Sequence, residues 1–489
     1  MTLRHALALL LLVCSLLSSS FARPAQNQTA ASRLVGEVFT GGQQLRYLSL
    51  LSDEIGSRLT GTSGARRAEE AMEAEFKRLG LANVRREPFN MPSAWERGMA
   101  SAALVSHGGR ALHVASYTWT PGTDRPFEGE VVDVGEGRPE DLRRESARLK
   151  GNVALVVPTG TDLAALIEKF YRTPVLVREL KEAGARAVLY ASDKQHTMLY
   201  TSPVDFTASS RLAALPTVSL ASEDVGLLRR LLGQQQRPRV RLDVRNKTGP
   251  AFESTNVVGE IRGHERPEEI VLVGAHLDSN DLGPGALDNA AGVAAVVETA
   301  RAVKALGLQP RRTIRFVLFM GEEEGMIGST AYVRRHREEL DKMVVALVMD
   351  IGAGRPLGWF SMGRTDLDAG IQELMLPLKA FGPFVIEHAA FAATDNAPFM
   401  AEGVPNLLML QDETAYHPVH HTIADTADKV EPRDFAAAVA TLAATAYALA
   451  DNERRFGHRL DATEVKKMAA ETKVDEQWRA SGIWAEARP

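Results

Sequence analysis

Cysteine is almost missing from the 489-residue chain: Cys14 is the only one. No disulfide framework can form within it. Cys14 also lies inside an N-terminal apolar run expected to be removed, which leaves no thiol nucleophile and no cysteine ligand for a metal in the mature chain. An excess of one charge is missing as well, because 57 Lys and Arg stand against 62 Asp and Glu, a net charge of -5 without long blocks of one sign. That balance excludes the electrostatic footprint of a nucleic-acid or anionic-lipid binder. Nor is there a long hydrophobic run. The strongest, ALALLLLVCSLL from Ala6 to Leu17, is too short to cross a bilayer. Preceded by Arg4 and followed by SSSFA, it reads as a signal peptide over residues 1–22, cleaved after Ala22. The expectation is an exported chain, periplasmic or secreted, with no stable membrane insertion after cleavage. Finally, no serine stands in a G-x-S-x-G context and no H-E-x-x-H helix occurs, so two familiar hydrolytic motifs are excluded.

What is present is an alternation of apolar strands and amphipathic helices. Helical spacing runs from Gly64 to Leu79, and ANVRREPF reads as a strand, with short strand-like runs beyond it in ASAALVSHGG and ALHVASYTW. From about Phe127 to Leu242, short β-branched runs alternate with charged helices, which predicts a small inserted α/β lobe. The larger pattern resumes with near-continuous apolar strands at Glu269–Ala275, Ile314–Phe319, Val344–Met349 and Asn406–Leu410, as in a sheet covered on both faces. Alanine-rich helices are expected over Val293–Leu306 and Pro432–Leu449. The predicted class is therefore α/β, with a central mixed, mostly parallel sheet. Its expected divisions are residues 23–120 for the first part of the main domain, 121–250 for the lobe, 251–455 for the main part, and 456–489 for a C-terminal tail.

The chemistry gathers where the strands end. In VLVGAHLDSNDLGPGALDNAAG, from Val271 to Gly292, His276 and Asp278 follow an apolar strand with a period of two. Both can point to one side, with Asp278 behind the imidazole to fix its tautomer. The glycines of DLGPGAL allow the chain to fold back and return Asp288 towards His276. A second strand ends in GEEEG, where Glu322, Glu323 and Glu324 would repel one another unless a cation or a proton were held. A third ends at Asp350, and YHPVHHTIADT supplies His417, His420 and His421. Carboxylates mixed with imidazoles suit zinc or another divalent first-row ion better than calcium or magnesium. The number of acids points to two ions about 3.5–4 Å apart, bridged by one carboxylate and one water, with an unshared carboxylate as base.

These stretches, with GEEEGMIGS, VMDIG, HTIADT, DEIGSRLTGT, STNVVGEIRG and TDNAPF, resemble the co-catalytic zinc peptidases of family M28. The larger layout is similar to the carboxypeptidase Q-like branch, and the resemblance covers about residues 45 to 450. It implies the zinc-exopeptidase fold with a protease-associated-like lobe and two Zn2+ ions per chain. Residue by residue, it implies His276 with Asp350 on one ion, Glu323 with His421 on the other, and Asp288 bridging both. Glu322 would be the general base and Asp278 the orienting partner of His276. The Asp288–Asn289 peptide would be cis. His421 opens the H-[ST]-x-x-D-T pattern, whereas His417, His420 and Asp395 are placed only as lining of a substrate cleft. Two departures stand out: Asn280 replaces an aromatic of that branch, and Asn289 replaces its acidic residue after the bridge.

The implied activity is hydrolysis of short peptides or dipeptides by an aminopeptidase or dipeptidase, with a metallocarboxypeptidase of the same family as the alternative. A zinc amidohydrolase of the M20 type also uses His-x-Asp, a bridging Asp and a Glu pair. There the bridge lies several tens of residues past the first histidine, whereas only 12 separate His276 and Asp288. A receptor-like relative without chemistry would have lost ligands or base, and all are retained. An aminopeptidase needs acceptors for a free amine, for which Glu324, Asp281 and Asp395 are available, while a carboxypeptidase needs a cation such as Arg364. No nucleic-acid partner is expected, and a homodimer is left open.

Overall fold

The computed structural model describes residues 22–160, 163–203 and 215–481. The signal-peptide segment lies outside the described residues apart from Ala22 itself. Among the described residues no helix is long and apolar enough to cross a membrane.

Eight strands form the main sheet, in the order Ala82–Met91, Phe252–Ile261, Arg312–Phe319, Arg266–His276, Met343–Val348, Asn406–Gln411, Pro356–Phe360 and Val385–Glu387. The four strands from Arg312–Phe319 to Asn406–Gln411 run parallel to one another. The Pro356–Phe360 strand is antiparallel to this block, as is Phe252–Ile261 on the other side, so the sheet is mixed with a parallel centre. Alternation explains why the central strands are apolar throughout. Val271, Val273 and Ala275 face one core with Ile314, Phe316 and Leu318, whereas Ile270 and Leu272 face the other with Val317 and Phe319.

Small side chains let two helices lie close against the first of these cores. Ala291–Ala305 is buried from Ala291 to Val303, and Pro432–Asp451 is buried over most of its length. The proline opening the second sits in the first turn, where no N–H is needed. Glu298, fully buried on the first helix, is held by Arg301 at 2.7 and 2.8 Å and by the Gln43 amide at 3.0 Å.

A second eight-stranded sheet makes the lobe. Its order is Arg110–Leu112, Ala100–Leu104, Arg239–Val244, Phe127–Asp133, Val153–Val156, Ala187–Ala191, Thr217–Leu220 and Val114–Ser116. Three of these strands, between residues 100 and 116, were expected to belong to the first part of the main domain. They pair into the lobe because Ala100–Leu104 adds to Arg239–Val244, and Val114–Ser116 adds to Thr217–Leu220.

Helices also close both ends of the described chain. The polar stretch after the apolar run is a helix, Ala22–Gly41, which buries Leu34 and Val38 and ties Glu37 to Arg301 at 2.8 Å. The region expected as a tail contains two helices, Ala462–Thr472 and Val474–Ser481, anchored by buried Val465, Met468, Val474 and Trp478.

Candidate metal centre

Parallel strands deliver their carboxyl ends to one edge of the sheet, where open α/β sheets hold their ligands. His276 closes its strand opposite Phe319, and Gly274 pairs with Val348, so His276, the Glu322–Glu324 turn and Asp350 emerge together. The Asn406–Gln411 strand leads into the turn that carries His420 and His421. Between His276 and the helix that starts at Ala291, the chain doubles back through Gly285. Its φ of +61° favours glycine, and an added Cβ would fall 2.3 Å from Ser279 Cβ. Asp288 is thereby returned to the strand end, and its peptide bond to Asn289 is cis.

Two groups that could hold a metal result, His276 with Asp350 and His420 with His421, and they share Asp288; His420 alone is only half-buried. In one, His276 Nε2 stands 2.9 Å from Asp350 Oδ1 and 3.0 Å from Asp288 Oδ1. In the other, His421 Nε2 stands 2.9 Å from Glu323 Oε2 and 3.3 Å from Asp288 Oδ2. His420 also reaches Asp288 Oδ2, at 3.1 Å, and stacks on His421 with centroids 3.9 Å apart. The backbone of His421 has a φ of +58°, an uncommon conformation for a residue with a side chain.

The electrostatics fit the same grouping. Burial opposes charge on His421, yet the Glu323 and Asp288 carboxylates push it up to about 10. Burial also opposes charge on His276, but Asp350, Asp278 and Asp288 hold it well above the ordinary imidazole value. Burial, only partly offset by His276, pushes Asp350 up to about 6, and burial lowers His420 to about 3. Glu323 Oε2 is buried and makes no hydrogen bond although His421 is beside it. An orphaned carboxylate oxygen, two imidazole nitrogens and a shared aspartate form a donor set that fits a dinuclear zinc centre.

Surrounding residues hold these donors in place. Asp278 is fully buried, 3.6 Å from His276 Nδ1, and that nitrogen also stands 3.2 Å from the Asp278 carbonyl. The Asp278 carboxylate accepts from Thr60 Oγ1 at 3.1 Å and from the Glu323 amide at 3.2 Å. Asp425 accepts the amides of Leu287 and Asp288 at 2.6 and 3.1 Å. Arg58 is buried and donates to the carbonyls of Leu51, Gly56, Leu277, Pro284 and Gly285. None of Thr60, Arg58 or Asp425 was singled out from sequence, although SRLTGT and HTIADT contain them.

Not every expected site residue joins the cluster. His417 is half exposed and pairs with Glu413, so its ring is directed to a surface carboxylate instead of the cleft. Asp395 is buried and neither of its carboxylate oxygens has a hydrogen bond; burial pushes it up to about 8, with His276 and Asp350 both acting on it. Of the other acids considered for a substrate amine, Asp281 is engaged by Arg97 at 2.5 and 2.7 Å, and Glu324 is buried with Asp278 acting on it. The cation considered for a terminal carboxylate, Arg364, is held by Asp366 through two bonds of 2.8 Å.

Comparison with known proteins gives the family of the chain. The description "Peptidase family M28" matches residues 256–446. Carboxypeptidase Q of Bos taurus is 31% identical over 409 residues, covering 83% of this chain and 85% of that one. The chain belongs to peptidase family M28. As an M28 member it is a zinc-dependent metallopeptidase acting as an exopeptidase. The crystal structure of a peptidase M28 precursor from Shewanella amazonensis superposes with a TM-score of 0.80 at 27% identity, covering 90% of this chain and all of that one. A zinc aminopeptidase of Bacillus subtilis gives a TM-score of 0.64 at 22% identity, over 86% of this chain and 97% of that one, a likeness of fold. At 90% coverage, the likeness to the Shewanella structure takes in the smaller lobe as well as the mixed sheet.

Proposed function

We propose that this M28 exopeptidase acts at the free amine end of short peptides, as an aminopeptidase or dipeptidase, with Glu322 as general base. The ions would be held by His276 and Asp350 on one side and by Glu323 and His421 on the other, with Asp288 between them. Bound in such a pair, zinc acidifies water and polarises a scissile carbonyl. Glu322 then takes the proton of the attacking water and returns it to the departing amine. What supports this role is its setting. Glu322 follows the same strand as Glu323 but is only partly buried, and burial holds its carboxyl well above the usual range, with His276, Asp350, Asp395 and Glu323 acting on it. A carboxyl beside the metal ligands that is not itself held by a cation is placed to accept and return a proton.

The amine-end reading rests on Asp395. Like Glu324, it is a buried acid with no hydrogen bond to either carboxylate oxygen, and His276 and Asp350 act on it, whereas Arg364 and Arg97 are already committed to Asp366 and Asp281. The Bos taurus relative is named for carboxypeptidase action and the Bacillus structure for aminopeptidase action, so substrates must separate the two. A dipeptide, its N-acetylated form and an amino-acyl anilide should be compared. Cleavage of the dipeptide and anilide, with loss on N-acetylation, is the expected result. Equal cleavage of the N-acetylated dipeptide, with none of the anilide, would reverse the assignment. We also propose that the chain is exported, and N-terminal sequencing of secreted material should begin near Arg23; an intact Met1 on cytoplasmic protein would refute this.

A further inference from the structure

The inserted lobe reaches the metal centre at Tyr200 and Thr201. Thr201 is fully buried, and its carbonyl accepts the Nδ1–H of His421 at 2.9 Å while its amide faces the His421 carbonyl at 3.3 Å. The same carbonyl accepts Asn280 Nδ2 at 3.0 Å, and Thr201 Oγ1 donates back to Asn280 Oδ1 at 3.0 Å. Asn280 in turn donates its backbone N–H to Glu323 Oε1 at 2.5 Å, and it is itself almost wholly buried. Beside this pair, Tyr200 stacks on His421 with centroids 5.4 Å apart and planes 20° apart. Thr201 and Asn280, tied to each other through their side chains, therefore hold the outer nitrogen of His421 and one oxygen of Glu323 through their main chains. His421 and Glu323 are the two residues assigned to a single ion.

We propose that Thr201 and Asn280 form a bracket through which the lobe sets the affinity for the divalent ion held by Glu323 and His421. The inference rests on the two-ion assignment above. It follows from how an imidazole binds metal: the partner of its far nitrogen fixes both ring orientation and tautomer. With the Asn280 amide gone, the Thr201 carbonyl loses one of its two donors, and the peptide that carries the Glu323 contact is freed. The ion on His276 and Asp350 is fixed through Asp278 and Asn289 instead, so the two positions respond differently. Asn280 departs from the aromatic of the related branch, and the bracket gives that departure a physical role.

The test is a Co2+ titration of the full-length metal-free protein, resolving the two binding steps by absorption, with Glu323→Gln identifying which step belongs to the Glu323–His421 position. Outer partners of metal ligands contribute about 10–100-fold in affinity. Asn280→Ala and Thr201→Val should therefore weaken that step by about tenfold or more, leave the other nearly unchanged, and lower the thermal unfolding of the metal-free chain only as far as unpaired buried polar groups do, with its transition still cooperative. Thr201→Ser, which keeps the hydroxyl, should behave as wild type. If Asn280→Ala fails to fold, Thr201→Val carries the test, since it exchanges only a hydroxyl for a methyl. Unchanged steps in both variants, or equal weakening of both steps, would overturn the bracket. A wild-type chain that took up only one Co2+ would instead overturn the two-ion assignment on which it stands.

Discussion

The Asn289 side-chain amide donates to Asp350 Oδ1 at 2.9 Å and to the Met349 carbonyl at 2.9 Å, one residue past the shared Asp288. The oxygen it touches is also the one nearest His276 Nε2. An amide can donate to that carboxylate where an ionised acid could only repel it. Asn289→Leu, nearly the same size, should leave Asp350 and the Met349 carbonyl without this donor and cost about 1–3 kcal/mol of stability. It should also weaken the His276–Asp350 ion step by about tenfold while sparing the other. Chemical unfolding with a stepwise metal titration on the same protein checks both parts; an unchanged first step would show that Asn289 only packs the helix start.

Arg58 offers a second check, because its guanidinium gathers carbonyls from both ends of the loop between Leu277 and Gly285. Burial lowers its pKa to about 10, so it stays protonated at neutral pH. Each buried acceptor left without a donor costs about 1–3 kcal/mol, so Arg58→Met should destabilise the protein by about 3 kcal/mol or more. The loss should concentrate in hydrogen exchange of residues 277–290 and reduce metal affinity, because the loop returns Asp288 to the site. Destabilisation with an unaltered loop would place the role of Arg58 elsewhere.

The parts of this architecture that were legible in the sequence share a cause. Val271–Ala275 and Ile314–Phe319 are covered on both faces, so they carry a continuous apolar signal, and the acids immediately after them stand out. Helices such as Pro432–Asp451 announce themselves by alanine and a first-turn proline. What escaped notice depends on contacts distant in sequence. The Val474–Ser481 helix shows only Val474 and Trp478 as apolar anchors in a polar background. The strands between residues 100 and 116 carry no local mark of which sheet they join. Thr201 acts through its main chain, and the partners of Arg58 include carbonyls more than two hundred residues away, so neither role can be read from the local sequence.

Removing metal should separate the site from the scaffold. The donors converge from loops and strand ends, while the sheet is held by its own two cores. Chelation should leave far-ultraviolet circular dichroism nearly unchanged, yet increase hydrogen exchange at 278–290, 322–326 and 417–426. Restoring zinc should reverse the change. Global unfolding on chelation would mean that the metal holds the fold as well as the site.

The sharpest separation lies between two neighbouring glutamates. Glu323 stands 2.9 Å from His421 and is held by the Asn280 amide, a geometry that suits a ligand. Glu322 has no such pairing; its backbone N–H faces Asp278 Oδ1 at 3.4 Å, and burial raises the pKa of its carboxyl. Glu322→Gln keeps size and removes the base, so kcat on a dipeptide should fall by at least about 100-fold while both ions remain bound. KM should change far less, because the interaction lost is made in the transition state. Glu323→Gln should instead lose affinity for one ion, and part of its activity should return at high zinc. Both variants should be assayed on a dipeptide and an amino-acyl anilide, with metal measured on the same samples. Near-normal turnover of Glu322→Gln with two ions bound would remove it as the base, and metal loss matching that of Glu323→Gln would make it a ligand.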